Sequence, residues 1–179
     1  MSTENQSVCA VVVAAGSSRR MGGENKLLLP LCGKPVLAHT LTAFQMCGAV
    51  RDIVLVCREQ DMEVYRTLAA ENGITKLRTL TRGGDTRTES VLAGVSAASE
   101  ACALVAVHDG ARPLVSDEVI TQAVAEAAKT GAAAPVVPVK DSIKRIENGK
   151  IAADVPRDTL AAVQTPQVFR RDMLLHALL

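Results

Sequence analysis

Residues 11–26, VVVAAGSSRRMGGENK, run from an apolar, β-branched stretch into a loop of small residues, followed by Arg19, Arg20 and Lys26. Ala14, Ala15, Gly16, Ser17 and Ser18 carry so little side chain that their backbone N–H groups can approach an oxyanion closely. A guanidinium such as Arg20 forks onto phosphate oxygens, and an ammonium such as Lys26 adds a mobile point charge. The combination suits a triphosphate. The stretch matches neither G-x-x-x-x-G-K-[ST] nor G-x-G-x-x-G, so it is not a Walker loop or a standard dinucleotide fingerprint. Taken alone, it is explained equally well by a solvated loop with incidental cations.

Two further stretches carry chemistry of a compatible kind. In HDGARP (108–113), Asp109 follows the apolar run ALVAV, where a carboxylate either caps the next turn or binds a hard cation such as Mg2+. Arg112, three residues on, can hold a second anion. In RGGDTRTES (82–90), Gly83 and Gly84 beside Asp85 bring backbone carbonyls within reach of a base edge, with Ser90 nearby; a turn and helix cap fit this stretch as well. His39, His108 and His176 form no ligand pattern, and no nucleophile has a paired base. One reaction class does without a base. A phosphate monoester, with a second pKa of about 6, is largely dianionic near neutral pH. It attacks the α-phosphorus of a nucleoside triphosphate unaided, leaving alignment and charge neutralisation to Arg, Lys and Mg2+.

The elements that must carry these groups are short apolar runs alternating with helical spacing. CAVVVA (9–14), DIVLVC (52–57), ALVAVH (103–108) and AAPVVPV (133–139) have strand length and are apolar on both faces. Helical patterns cover 35–47, 88–99 and 116–129, the last opening on Ser116 with Asp117 and Glu118, a good N-cap with an acidic first turn. Doubly buried strands alternating with helices predict an open α/β sandwich on a mostly parallel sheet, whose ligands gather beyond the carboxyl ends of the strands. All three polar stretches fall at or near such ends. SIKRIENGKIAADV (142–155) centres on Asn148–Gly149, a strong hairpin-turn dipeptide, and predicts a β-hairpin arm.

Bulk properties exclude other classes. A chain of 179 residues with 48% hydrophobic and 22% charged residues makes one globular domain. A formal net charge of +1 and only 2% aromatic residues argue against nucleic acid. The five cysteines are odd in number and show no C-x-x-C spacing, which predicts reduced, mostly buried thiols in a cytoplasmic protein. The leader MSTENQS has no Lys or Arg, so residues 8–15 are expected to be a soluble strand and not a signal core. No stretch approaches the length of a membrane span.

In order along the chain, VVVAAGSSRRM…K, RGGDTRTESVLAG, VHDGARP, PVKDSIKR and QTPQVF resemble the 2-C-methyl-D-erythritol 4-phosphate cytidylyltransferases of the non-mevalonate isoprenoid pathway. The ordered set is far more specific than any member, and it spans nearly the whole chain. The resemblance implies a Rossmann-like nucleotidyltransferase domain over 1–179 that uses CTP, a sugar-alcohol phosphate and Mg2+. It implies that Arg20 and Lys26 stabilise the pentavalent transition state, and that Ala14, Ala15, Gly16 and Asp109 flank the triphosphate and metal. By the same resemblance Gly84, Asp85 and Ser90 read cytosine, while Arg112, Ser142, Arg157 and Thr165 serve the sugar phosphate. It further implies a homodimer crossed through the arm (about 142–157), with Arg157 serving the neighbouring subunit. Position 142 is Ser where Thr is common, and the loop before Lys26 is slightly shorter and lacks the frequent Pro. The family pattern continues beyond RRDMLLHALL with another acidic motif and a substrate-positioning Lys, so a longer functional polypeptide is expected. Ribitol 5-phosphate cytidylyltransferases share much of the nucleotide pattern, but PVKDSIKR favours the methylerythritol substrate. A nucleotide-binding regulatory protein without turnover is the alternative from another class.

Overall fold

The computed structural model describes residues 7–16 and 25–179. In chain order the first half contains β1 (Val8–Val13), β2 (Pro30–Leu31), β3 (Lys34–Pro35), α1 (Val36–Met46), β4 (Val50–Cys57), α2 (Met62–Glu71), β5 (Leu77–Arg82) and α3 (Arg87–Ala97). There follow β6 (Leu104–Asp109), α4 (Asp117–Thr130), β7 (Ala132–Ala133), β8 (Val136–Pro138), β9 (Ile143–Glu147), β10 (Lys150–Val155), β11 (Ala161–Val163), β12 (Gln167–Arg170) and α5 (Arg171–Leu178). Six strands form one sheet in the order β5-β4-β1-β6-β12-β7. The pairs β5–β4, β4–β1 and β1–β6 are parallel, and β12 runs antiparallel to β6 and β7.

The β-branched runs become central strands because both their faces find helices. On β1, Ala10 and Val12 pack with Leu37, Leu41 and Phe44 of α1, while Cys9 and Val11 pack with Val91 and Val95 of α3. Burying each such valine contributes about 1.5–3 kcal/mol. A Cβ on Gly94 would run into the side chains of Val11 and Val56, so its bare backbone lets α3 lie close against the sheet. Ser116 caps α4 as its sequence predicts, its hydroxyl accepting from the Val119 N–H at 3.3 Å. Four of the five cysteines are buried and all five are free thiols.

One expected strand is corrected. The run 133–139 does not form a single doubly buried strand. Only Ala132–Ala133 joins the main sheet, and Val136–Pro138 pairs instead with β11 as an exposed ribbon. Pro135 and Pro138 lack the N–H groups that a central ladder requires. The expected hairpin is present: β9 and β10 pair antiparallel across Asn148 and Gly149, whose φ values of 50° and 74° are those of a primed turn. Among the described residues no helix is long and apolar enough to cross a membrane.

Candidate active site

The parallel strands β1, β4, β5 and β6 end on one edge of the sheet, and the segments leaving them enclose a cavity of about 1120 Å³. Val13 to Gly16 leave β1, Arg58 to Gln60 leave β4, Arg82 to Arg87 leave β5, and Asp109 to Arg112 leave β6. Lys26 and Leu27 complete this wall from the segment before β2. Among the described residues, Lys26, Arg58, Arg82, Arg87 and Arg112 supply five cations against the carboxylates of Glu59, Asp85 and Asp109. The excess favours a polyanion. The strand ends are laced together by the Ala14 N–H to Val56 C=O bond at 2.7 Å, Gly83 N–H to Cys57 C=O at 2.9 Å, and Gly110 N–H to Val13 C=O at 2.8 Å. The Ala14 amide is therefore committed to the sheet, and among the described residues of this turn the next amides are those of Ala15 and Gly16. Gly83 fits because a Cβ there would stand 2.5 Å from that of Ala15 and 2.8 Å from the Ser90 hydroxyl.

The corner after β5 is locally determined. Thr86 caps α3 by accepting from the Glu89 N–H at 3.1 Å, and the Glu89 carboxylate accepts from the Asp85 and Thr86 amides at 2.7 and 3.0 Å. Those two amides are thereby occupied, and Gly83, Gly84, Asp85 and Thr86 all line the cavity. Ser90 is buried and donates to the Thr86 carbonyl at 2.9 Å, so towards the cavity it offers lone pairs.

Asp109 ends β6 with each carboxylate oxygen on a guanidinium. Oδ1 accepts from Arg87 at 3.2 Å and Oδ2 from Arg112 at 3.0 Å. Arg112 also donates to Gln164 at 2.6 Å, and Arg87 approaches Gln167 at 3.4 Å. No group of three or more carboxylate, imidazole or thiol ligands occurs among the described residues. This donor set fits a Mg2+ ion held mainly by substrate phosphates and water, with one carboxylate from the protein.

His108 lies wholly buried beneath these groups, edge-on to Phe44. Its Nε2 lies 3.1 Å from the Arg112 carbonyl, an acceptor, so Nε2 carries the proton and donates there. Nδ1 then accepts from the Thr165 hydroxyl at 2.9 Å. Burial pushes the His108 pKa below its ordinary 6.5. Below that pH the unfolded chain takes up a proton that the native imidazole refuses, so stability falls as pH drops from 6.5 towards the native value. Thermal midpoints measured between pH 7 and 5 should fall less steeply for His108→Gln than for the parent, and equal slopes would refute this account.

The expected site residues are thus partly assembled. Ala14, Ala15, Gly16, Lys26, Gly84, Asp85, Ser90, Asp109 and Arg112 line the same cavity, whereas Thr165 does not line it and is bonded to the buried His108. Ser142 and Arg157 do not line it; both are exposed, with Arg157 donating to the Lys140 carbonyl at 2.8 Å. Arg20, Ser17 and Ser18 lie outside the described residues.

A model of the family described as 2-C-methyl-D-erythritol 4-phosphate cytidylyltransferase matches residues 8–179. The chain belongs to this family. The cytidylyltransferase of that name from Dehalococcoides mccartyi is 43% identical over 171 residues, which are 95% of this chain and 75% of that protein. Its counterpart from Halalkalibacterium halodurans is 46% identical over 160 residues, 89% of this chain and 70% of the relative. The crystal structure of 4-diphosphocytidyl-2C-methyl-D-erythritol synthase from Anaerococcus prevotii superposes with a TM-score of 0.86 at 26% identity, covering 98% of this chain and 74% of that one. In this cytidylyltransferase-family fold, Arg58, Gln60, Arg82 and Arg87 join the cavity although motif spacing does not single them out. The available signal was their position: each lies at the carboxyl end of a parallel strand or just beyond it.

Proposed function

We propose that the chain transfers CMP from CTP to 2-C-methyl-D-erythritol 4-phosphate, releasing pyrophosphate and forming the CDP-alditol of isoprenoid biosynthesis. The observation that carries this reading is that Lys26, the Gly83–Thr86 corner and the Arg87–Asp109–Arg112 cluster line the same cavity. The acceptor's phosphate oxygen forms a bond to the α-phosphorus as the bond to the bridging β-phosphate oxygen breaks. Pyrophosphate takes the electron pair. The nucleophile is already a dianion, so the protein has no proton to remove. Lys26 and Arg20 neutralise charge on the oxygens of the transferring phosphoryl group, and the Ala15 and Gly16 amides face the phosphates. Arg112 and Thr165 hold the acceptor.

Mg2+ carried on the triphosphate would supply charge shielding, with Asp109 as its protein ligand. The chain acts in the cytoplasm as a homodimer in which Ser142 and Arg157 of each arm reach the other subunit's acceptor. This assignment is supported by their exposure away from the cavity of their own chain.

The amine of cytosine donates where uracil has an acceptor, so a corner of carbonyls and lone pairs favours CTP. With UTP, acceptors face an acceptor and are left unpaired. Pyrophosphate release measured across CTP and UTP, methylerythritol phosphate and ribitol phosphate, with and without Mg2+, tests the reading. The expected result is turnover of CTP with methylerythritol phosphate, dependent on Mg2+, with UTP at least about tenfold poorer. Equal efficiency with UTP overturns the base assignment. Preference for ribitol phosphate overturns the acceptor, and tight CTP binding without release overturns catalysis.

A further inference from the structure

Lys26 occupies a turn whose construction has no part in the chemistry described above. The Leu28 N–H donates to the Asn25 carbonyl at 2.9 Å, placing Lys26 at the bend. Downstream the segment is stitched to the start of α1: Leu37 N–H donates to the Leu27 carbonyl at 3.0 Å, and Val36 N–H to the Leu29 carbonyl at 3.1 Å. Leu27 itself is buried in the main core. Upstream the tie is made by side chains. Asn25 Oδ1 accepts from the Leu27 N–H at 3.2 Å, which orients the amide. Its Nδ2 then donates to the Tyr65 hydroxyl at 2.9 Å, 40 positions away on α2.

Tyr65 is fully buried, and among the described residues its hydroxyl has hydrogen-bond contact with Asn25 alone. A phenylalanine would fill nearly the same core volume with no polar group to satisfy. Burial pushes the phenol pKa up to about 12, so the hydroxyl remains protonated across the working pH range. The hydroxyl is thus a fixed post sunk in the core, and the Asn25 amide reaches it from the turn.

We infer that Tyr65 and Asn25 are positioning residues for the Lys26 ammonium: the Tyr65–Asn25 bond holds the turn so that Lys26 enters the cavity preorganised for the transferring phosphate. This inference rests on the catalytic reading of Lys26. Preorganised cations lose effect steeply when displaced, by up to about 10²-fold for 1 Å. Tyr65→Phe removes only the contact between the hydroxyl and the Asn25 amide and leaves the backbone bonds of the turn, so a smaller loss follows.

A double-mutant cycle on cytidylyl transfer tests it. Tyr65→Phe should lower kcat roughly tenfold with the KM for CTP little changed, and Asn25→Ala, at a partly exposed site, should do the same. In a Lys26→Ala background, Tyr65→Phe should cost nothing further, because the group being positioned is gone. A role confined to core stability would instead lower the thermal midpoint and leave kcat per folded molecule intact. Normal kcat in both Tyr65→Phe and Asn25→Ala overturns the inference. So does an undiminished loss in the Lys26→Ala background, which would mean that Tyr65 acts elsewhere. If Lys26→Ala alone turns over normally, the catalytic reading of Lys26 fails first and takes the inference with it.

Discussion

Alanine at Lys26 or at Arg20 is expected to lower kcat for cytidylyl transfer by about 10²-fold or more, with a smaller change in the KM for CTP. Lys26 lines the same cavity as the β1 turn and the Asp109 cluster. In the proposed reaction a cation there would meet phosphate oxygens already in the ground state. Its contribution to kcat comes from the extra charge that gathers on the oxygens around phosphorus as a fifth oxygen approaches. Among the described residues, the other cations lining the cavity are already paired: Arg87 and Arg112 with Asp109, Arg58 with Asp61, and Arg82 with Glu59. Steady-state pyrophosphate release by folded variants measures the effect. A Lys26→Ala protein with near-normal kcat would remove Lys26 from the chemistry, and the same result for Arg20→Ala would remove Arg20.

Mixing Arg157→Ala with Arg20→Ala subunits should restore activity that neither variant has alone. Arg157 sits at the base of the β9–β10 hairpin and does not line the cavity of its own chain. The hairpin exposes Ile146 and Ile151 at 57% and 69%, and the neighbouring β8–β11 ribbon exposes Val136 and Val163, each at 54%. A two-stranded hairpin is marginal in water by itself, and apolar surface of this kind is what a second copy would cover. If the arms cross, a heterodimer holds one composite site with both arginines intact and one with neither. Random exchange then gives about a quarter of wild-type activity. A stable heterodimer with no recovery sinks the shared site, and a monomer by light scattering sinks the dimer.

The local signals were legible because their physics is local. Two-sided apolar runs become central parallel strands at Val8–Val13, Val50–Cys57 and Leu104–Asp109. Ser116 caps its helix through a bond three residues on, and Asn148–Gly149 makes the turn its backbone freedom permits. The run 133–139 was misleading because apolar content masks what proline removes, a donor for the ladder. β12 was hidden for a different reason: Gln167–Arg170 is only four residues long and joins the sheet antiparallel, between β6 and β7.

By itself the sequence determined the α/β layering, the run of small residues leaving β1, the order of motifs that marks the family, and most of the cavity's residue types. Each of these rests on periodicity, side-chain size or capping within a few positions. Only the tertiary structure decided which groups meet. Arg87 reaches Asp109 across 22 positions, Asn25 reaches Tyr65 across 40, and His108 reaches Thr165 across 57. Such pairings depend on strand order and on which loop lies beside which, and no spacing along the chain encodes them. The Ala14 amide makes the same point on a smaller scale. Small residues make it accessible in principle, yet the adjacent strand, through the Val56 carbonyl, claims its hydrogen bond.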